Sequence, residues 1–334
     1  MQQVLPVKRR VYPTLLLTVG ALLLCVLLAV SLGTVNIPVL TTLTALLKGF
    51  SGQARDGLEV IVWDVRFPRV LMGMLVGACL AMSGATYQGL FRNPLADPYL
   101  MGVASGASLG ATVGLVLGVP NSWIPVFALV ASLLSVALTL TLSAQGKVLK
   151  TTNLILTGVV VGSLSTAIST YLMLQHKDDV RQVFFWTLGN LSFASWQNIQ
   201  VMLPYLLLGG IFLQSLAKPL NTLQLGEATA YSLGIPVDRL KWLLIIASSL
   251  ITAVAVSYVG IIGFVGLIAP HIMRRLVGSH YPVLIPMSAL LGGVLLVAAD
   301  LLARTLIRPA ELPVGIVMTL VGGGFFLYLL RRNA

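Results

Sequence analysis

Charge is what this sequence lacks most. Asp, Glu, Lys and Arg make up only 9% of its 334 residues, and just 10 of them are acids. An ordinary soluble domain carries roughly 25%. A fold of this length could not cover a water-facing surface with so few charges, so a soluble globular domain is excluded. Histidine and cysteine are scarcer still. His176, His271 and His280 lie far apart at the borders of apolar runs, which gives no zinc-ligand spacing. Cys25 and Cys79 sit inside apolar runs without a partner at redox or metal spacing and read as small core residues. There is no glycine-rich loop ending in Lys-Ser/Thr, so the chain does not bind ATP in that way. No paired catalytic groups are present, and no catalytic residue or metal site is expected.

The net charge of +11 raises nucleic acid as a partner. The basic residues, however, are scattered in ones and twos between apolar stretches and form no continuous face. Nucleic acid is therefore not an expected partner. What is abundant is apolar sequence, at 57%, together with 32 glycines and 16 prolines. That mixture suits helices that face lipid and pack closely on each other.

A helix needs about 20 apolar residues to cross the hydrocarbon core. Runs of that kind predict ten spans: 13–33, 63–90, 97–118, 122–143, 152–174, 196–216, 240–260, 261–277, 282–303 and 312–330. The chain is thus expected to be an all-α, multi-pass membrane protein forming a single domain over 1–334. The first span follows Lys8, Arg9 and Arg10 and is read as an uncleaved helix. With the N-terminus inside, thirteen of the 21 basic residues fall on the cytoplasmic side, which supports an N-in, C-in topology.

Three local features stand out. Gly102, Gly106, Gly110, Gly114 and Gly118 recur every four residues, a stripe that suits close helix packing or the wall of a channel. Residues 217–239 form a long cytoplasmic connection with a short helical pattern from Glu227 to Leu233, closed by Gly234 and Pro236. Asp300 is the one acid expected within a span, close to its outer end, with Arg304 one helical turn on. A solitary ion-coupled carrier would need carboxylates deeper in the bilayer. It is kept as an alternative that would depend on Asp300.

Three segments resemble the signatures of a known family. Arg92-Asn93-Pro94-Leu95-Ala96-Asp97-Pro98 with Leu100 to Ala107, Gly263 to Arg275, and Leu225-Gly226-Glu227 with Ala230, Leu233-Gly234 and Pro236 are similar to those of the permeases of iron-siderophore, haem and cobalamin ABC importers. The order and spacing agree along essentially the whole chain. Tyr99 and Ala269 depart from the usual pattern in a small way.

The resemblance implies a type II importer in a bacterial inner membrane. Two permease copies would enclose the path, most simply as a homodimer, although a heterodimer is open. Two ATPase subunits would hold ATP and Mg below, leaving this chain without a cofactor. A periplasmic substrate-binding protein would deliver the cargo, a ferric siderophore or related chelate, with haem, cobalamin or a molybdate-type oxyanion as alternatives. Leu225, Gly226, Glu227, Ala230, Leu233, Gly234 and Pro236 would couple to the ATPase. Arg66, Arg69 and Arg304 would meet acids of the binding protein. Asn93, Leu95, Thr151 and Thr152 would form the cytoplasmic gate. The segment 176–181 is left without a role.

Overall fold

The structure, a computed structural model, describes residues 7–54, 56–145, 148–176 and 180–333. In chain order, α1 (Val7–Ser31) is followed by α2 (Val39–Phe50) and α3 (Leu58–Val60). A π-helical stretch, Ile61–Arg66, joins α3 to α4 (Phe67–Leu90), so that Leu58–Leu90 runs as one long helix. A 3-10 turn, Pro98–Met101, leads into α5 (Val103–Val116), and a second, Asn121–Trp123, into α6 (Ile124–Ser143). A two-residue antiparallel ladder, β1 (Ala144–Gln145) and β2 (Val148–Leu149), precedes α7 (Thr151–Gln175) and α8 (Val180–Thr187). Then come α9 (Trp196–Ser215), α10 (Ala217–Leu223), α11 (Glu227–Ser232), α12 (Val237–Val259), α13 (Val265–Val277), α14 (Tyr281–Thr305) and α15 (Val314–Asn333).

Each of the ten predicted spans contains a helix, and eight are long and apolar enough to cross a bilayer. The exceptions are α5 and α13, with 14 and 13 residues. At 1.5 Å per residue they reach only about 20 Å, against roughly 30 Å of hydrocarbon. The span predicted at 261–277 fails at its start because Gly260–Phe264 is not helical. Gly260 has φ +75° and Phe264 φ +68°, a left-handed conformation that a bulky residue seldom adopts. The break is held from the side: the Tyr99 hydroxyl donates to Ile262 O at 2.9 Å and accepts from Ile262 N at 3.2 Å. Residues 34–62, between the first two predicted spans, hold α2 and the start of the long helix. Just beyond it Trp63, Phe67 and Trp196 meet in tilted and edge-on ring contacts, with centroids 4.9 to 5.7 Å apart.

Two helices form the centre. Of the most apolar stretch of Leu58–Leu90, 78% is buried, and of Val237–Val259, 72%, against 17% for α9. The central α4 packs on α14, α12, α13 and α9. Glycines set these distances: Gly77 faces Gly292 and Gly84 faces Gly266 so closely that a Cβ on any of them would collide with the opposing backbone. The rim helices point large apolar side chains outward, among them Leu16, Leu134, Leu164, Leu208 and Leu327. Water would penalise that surface, while lipid accepts it.

The glycine stripe resolves into packing. Only Gly106, Gly110 and Gly114 lie in α5, where they rest against Ser135, Phe127 and Ile124 of α6. Gly102 and Gly118 are its left-handed end residues, with φ +76° and +66°. Within α5 the stripe is therefore a helix–helix contact, while Gly102 lines a cavity beside α7.

Candidate functional site

At the inner end, the predicted short helix is present as α11. Gly226 (φ +111°) and Gly234 (φ +79°) bound it with conformations open to glycine. Ala230 is fully buried, and its N–H and C=O bond to Gly226 O and Ile235 N at 3.0 Å each. Pro236 starts the turn into α12. Leu225 and Leu233, by contrast, are 67% and 62% exposed. Two large apolar side chains thus project from a rigid, glycine-bounded turn on the basic side of the bundle. The segment is anchored beneath by Gln224, whose side chain donates to Gly89 O at the end of α4 at 2.8 Å. Residues 217–223, read only as connection, form α10.

Glu227, placed by the resemblance in the set that would couple to the ATPase, is not a free carboxylate. It is committed instead to Lys241, whose Nζ lies 2.8 Å from Glu227 Oε2. The same ammonium donates to Leu149 O at 3.2 Å, two residues before Thr151. Lys241 is buried, and a buried ammonium needs both partners. This single side chain links α11 to the strand leading into α7. Sequence reading missed it because a lysine near the start of a span looks like any other inside charge.

The predicted gate residues fall on two segments. Asn93 and Leu95 are exposed on the connection after α4, where Asn93 Oδ1 accepts from Leu95 N at 2.9 Å and makes the local turn. Thr151 is half-buried and Thr152 exposed at the start of α7, and no side chain caps that end. None of the four lines the neighbouring cavity of about 630 Å³, which lies between the start of α5 and the middle of α7 and is touched by Asp97, Ser105, Gly158, Gly162, Ser163 and Thr166. Burial pushes the Asp97 carboxyl up to about 6, opposed by the N–H of Tyr99 that bonds it.

At the outer end, Arg66, Arg69 and Arg304 converge with Asp300 and Glu311. Arg69 bonds Asp300 through Nε at 3.0 Å and through a terminal nitrogen at 2.9 Å, and reaches Glu311 Oε2 at 2.7 Å. Arg304 Nε lies 3.0 Å from Asp300 Oδ2, as the one-turn spacing led one to expect, though not in hydrogen-bonding alignment. Arg66 donates to Val30 O at 3.0 Å, to Ser31 O at 2.8 Å and to Val35 O. Arg304 adds Ala29 O at 2.9 Å. Two guanidiniums thus cap the orphan carbonyls at the C-terminal end of α1, where the helix dipole favours cations.

These arginines were expected to offer free charge to a docked partner. They are only 6%, 9% and 3% exposed, and every one is occupied within the chain. The most open member of the cluster is Glu311, whose side chain is 31% exposed. Neither Glu311 nor the carbonyl partners were visible in the sequence, since their separations run from 31 to 275 residues. Of the segment 176–181, Lys177, Asp178 and Asp179 lie outside the described residues.

A lipid-facing helical bundle with broken central helices and an apolar turn on its basic side belongs to the transporter class of multi-pass membrane proteins. The profile of the FecCD transport family matches residues 21–332, and the chain belongs to that family. It is similar to a cobalamin import permease of Halobacterium salinarum, with 42% identity over 82% of this chain and 74% of that one. A hemin transport permease of Yersinia pestis is 38% identical over 97% of both chains. Among solved structures, a metal-chelate type ABC transporter in an inward-facing conformation superposes with a TM-score of 0.86 at 30% identity, covering 96% of this chain and all of that one.

Proposed function

We propose that this chain is the permease subunit of an ATP-driven importer that carries a metal chelate, of the siderophore, haem or cobalamin kind, inward by alternating access. The observation that carries the proposal is the inner turn. Leu225 and Leu233 stand exposed on the connection between α10 and α12, and Glu227 beside them is tied through Lys241 to the backbone just before Thr151. A soluble ATPase seated on those leucines could push on α11, and Lys241 would carry the displacement to the start of α7.

A second permease copy fits the exposed small polar face of α7, where Ser163, Thr166 and Thr170 face away from the bundle. Such a face suits a path between two copies better than it suits lipid. Asn93, Leu95, Thr151 and Thr152 would narrow the inner end of that path. Docking of a binding protein on the outer cluster would require its acids to take Arg69 from Glu311. A solitary ion-coupled carrier is disfavoured because Asp300, the acid it would depend on, is already held by Arg69 and Arg304.

The test is uptake of a labelled ferric siderophore into proteoliposomes holding permease and ATPase, with binding protein outside and ATP inside. Uptake that requires every component is expected, and exchange of the cargo for cobalamin, haem or molybdate then ranks the ligands. Uptake by the permease alone on an ion gradient would refute the reading.

A further inference from the structure

A second cavity, of about 510 Å³, lies at the outer end of the bundle and shares no lining residue with the first cavity or with the arginine cluster. Its walls come from the outer ends of α5, α6, α9 and α12 and from α8, all at the membrane boundary opposite the coupling segment. Among the described residues, none of the side chains that touch it carries a formal charge.

Its polar groups are of one chemical kind. Asn121, Gln182, Asn190, Gln197 and Asn198 bring five carboxamides to one space. Some of their capacity is used: Gln182 donates to Asn121 Oδ1 at 3.3 Å, Asn198 donates to Phe193 O at 3.1 Å, and Asn190 Oδ1 accepts from Ser192 N at 2.7 Å. That leaves donors on Asn121 and Asn190 and acceptors on Gln182 and Asn198. Gln197 has no hydrogen-bond partner among the described residues. Between the amides stand the rings of Phe185, Trp186, Phe193 and Tyr258.

This lining disfavours an ion. A phosphate or an ammonium drawn among neutral amides would lose hydration without a counter-charge. Arg181, not itself among the lining residues, holds its guanidinium 5.7 Å from the ring centre of Phe185, which is one of them. Carboxamides present a donor and an acceptor side by side, which matches neighbouring hydroxyls, and rings cover the C–H faces between them. Below the cavity, α6 and α9 both pack on α12 and show Val126, Val130, Leu207 and Leu208 to the bilayer. An occupant therefore meets uncharged hydrogen-bonding groups above and acyl-compatible surface below.

We infer that this cavity binds the headgroup of an outer-leaflet lipid that is uncharged and hydroxyl-rich, a sugar ring on an acyl-bearing anchor. The bound lipid braces α8 against the ends of α6, α9 and α12. The site is independent of the cargo and of the importer reading, since it needs only the membrane orientation.

The experiment is native mass spectrometry of the full-length permease, purified in a sugar-free detergent. The protein is mixed with equal amounts of monoglucosyl diacylglycerol and phosphatidylglycerol of the same acyl chains. Preferential retention of one glucolipid per chain, at least about fivefold over the phospholipid (roughly 1 kcal/mol), is expected. Gln197→Leu, which breaks no bond within the chain, should abolish that preference while leaving the thermal midpoint of the lipid-free protein in place. Leu134→Ala, on the lipid face of α6 away from the cavity, should retain it. Equal retention of the two lipids, preference for phosphatidylglycerol, or a preference that survives Gln197→Leu would overturn the proposal. So would displacement of the glucolipid by methyl glucoside, since an occupant that needs no acyl chain is not a lipid.

Discussion

Lys241, Asp300 and Asp97 each place an ionisable group where water is short, and each resolves the cost differently. Lys241 divides its protons between Glu227 and the Leu149 carbonyl. Replacing it with Met keeps the bulk and removes the link. Coupling elements of this kind carry up to about 2 kcal/mol, roughly 30-fold. Lys241→Met should therefore leave ATP hydrolysis by the assembled complex near wild type while uptake falls by up to that factor, measured in the same proteoliposomes. Asp300 neutralises two buried guanidiniums at once. Asp300→Asn leaves Arg304 without a carboxylate and Arg69 with Glu311 alone, and uncompensated buried charge costs about 3–5 kcal/mol. A marked fall in the thermal midpoint in detergent is expected. Asp97 works the other way. Its folded-state pKa is raised to about 6, so ionisation above that pH works against the fold, and the penalty vanishes as pH falls toward the ordinary carboxylate value. Asp97→Asn keeps the cap on Tyr99 N and should be the more stable protein at pH 7.5, by at most about 3 kcal/mol. The gap should close toward pH 5, read from thermal midpoints at the two pH values.

At the scale of elements, the distances between helices rest on glycine. The pairs Gly77–Gly292 and Gly84–Gly266 let α4 touch α14 and α13 backbone to backbone. In lipid there is little hydrophobic drive to bring helices together, so close packing must do it. Gly84→Ala should cost about 1–3 kcal/mol or more, because the neighbour it meets is main chain and cannot rotate away. Gly263→Ala, where nothing lies within 4 Å, should cost far less in the same thermal assay. The short helices α5 and α13 follow from the same economy. Each is preceded by a non-helical stretch, and backbone of that kind is tolerated at membrane depth only when it is buried in protein. The Tyr99 hydroxyl, bonded to both polar groups of Ile262, supplies that satisfaction from one break to the other.

At the scale of the whole molecule, the sequence by itself determined the membrane class, the helical content, the position of all ten segments and the existence of α11. These are local properties. An apolar run of 20 residues declares a span, a glycine after a short polar helix declares its end, and the count of basic residues declares the inside. The Asp300–Arg304 pair was legible for the same reason, since one helical turn separates them. The tertiary structure alone decided which charges are free. Arg66 and Arg69 read as groups open to a partner because their own partners are remote in sequence, on α1, α14 and the segment before α15. Glu227 read as available because Lys241 is fourteen residues away across a turn. The glycine stripe of α5 read as a wall or as a contact until α6 was placed against it. Burial of a charge is a property of what surrounds it in space, and in a bundle of ten segments those surroundings are assembled from parts of the chain up to 275 residues apart.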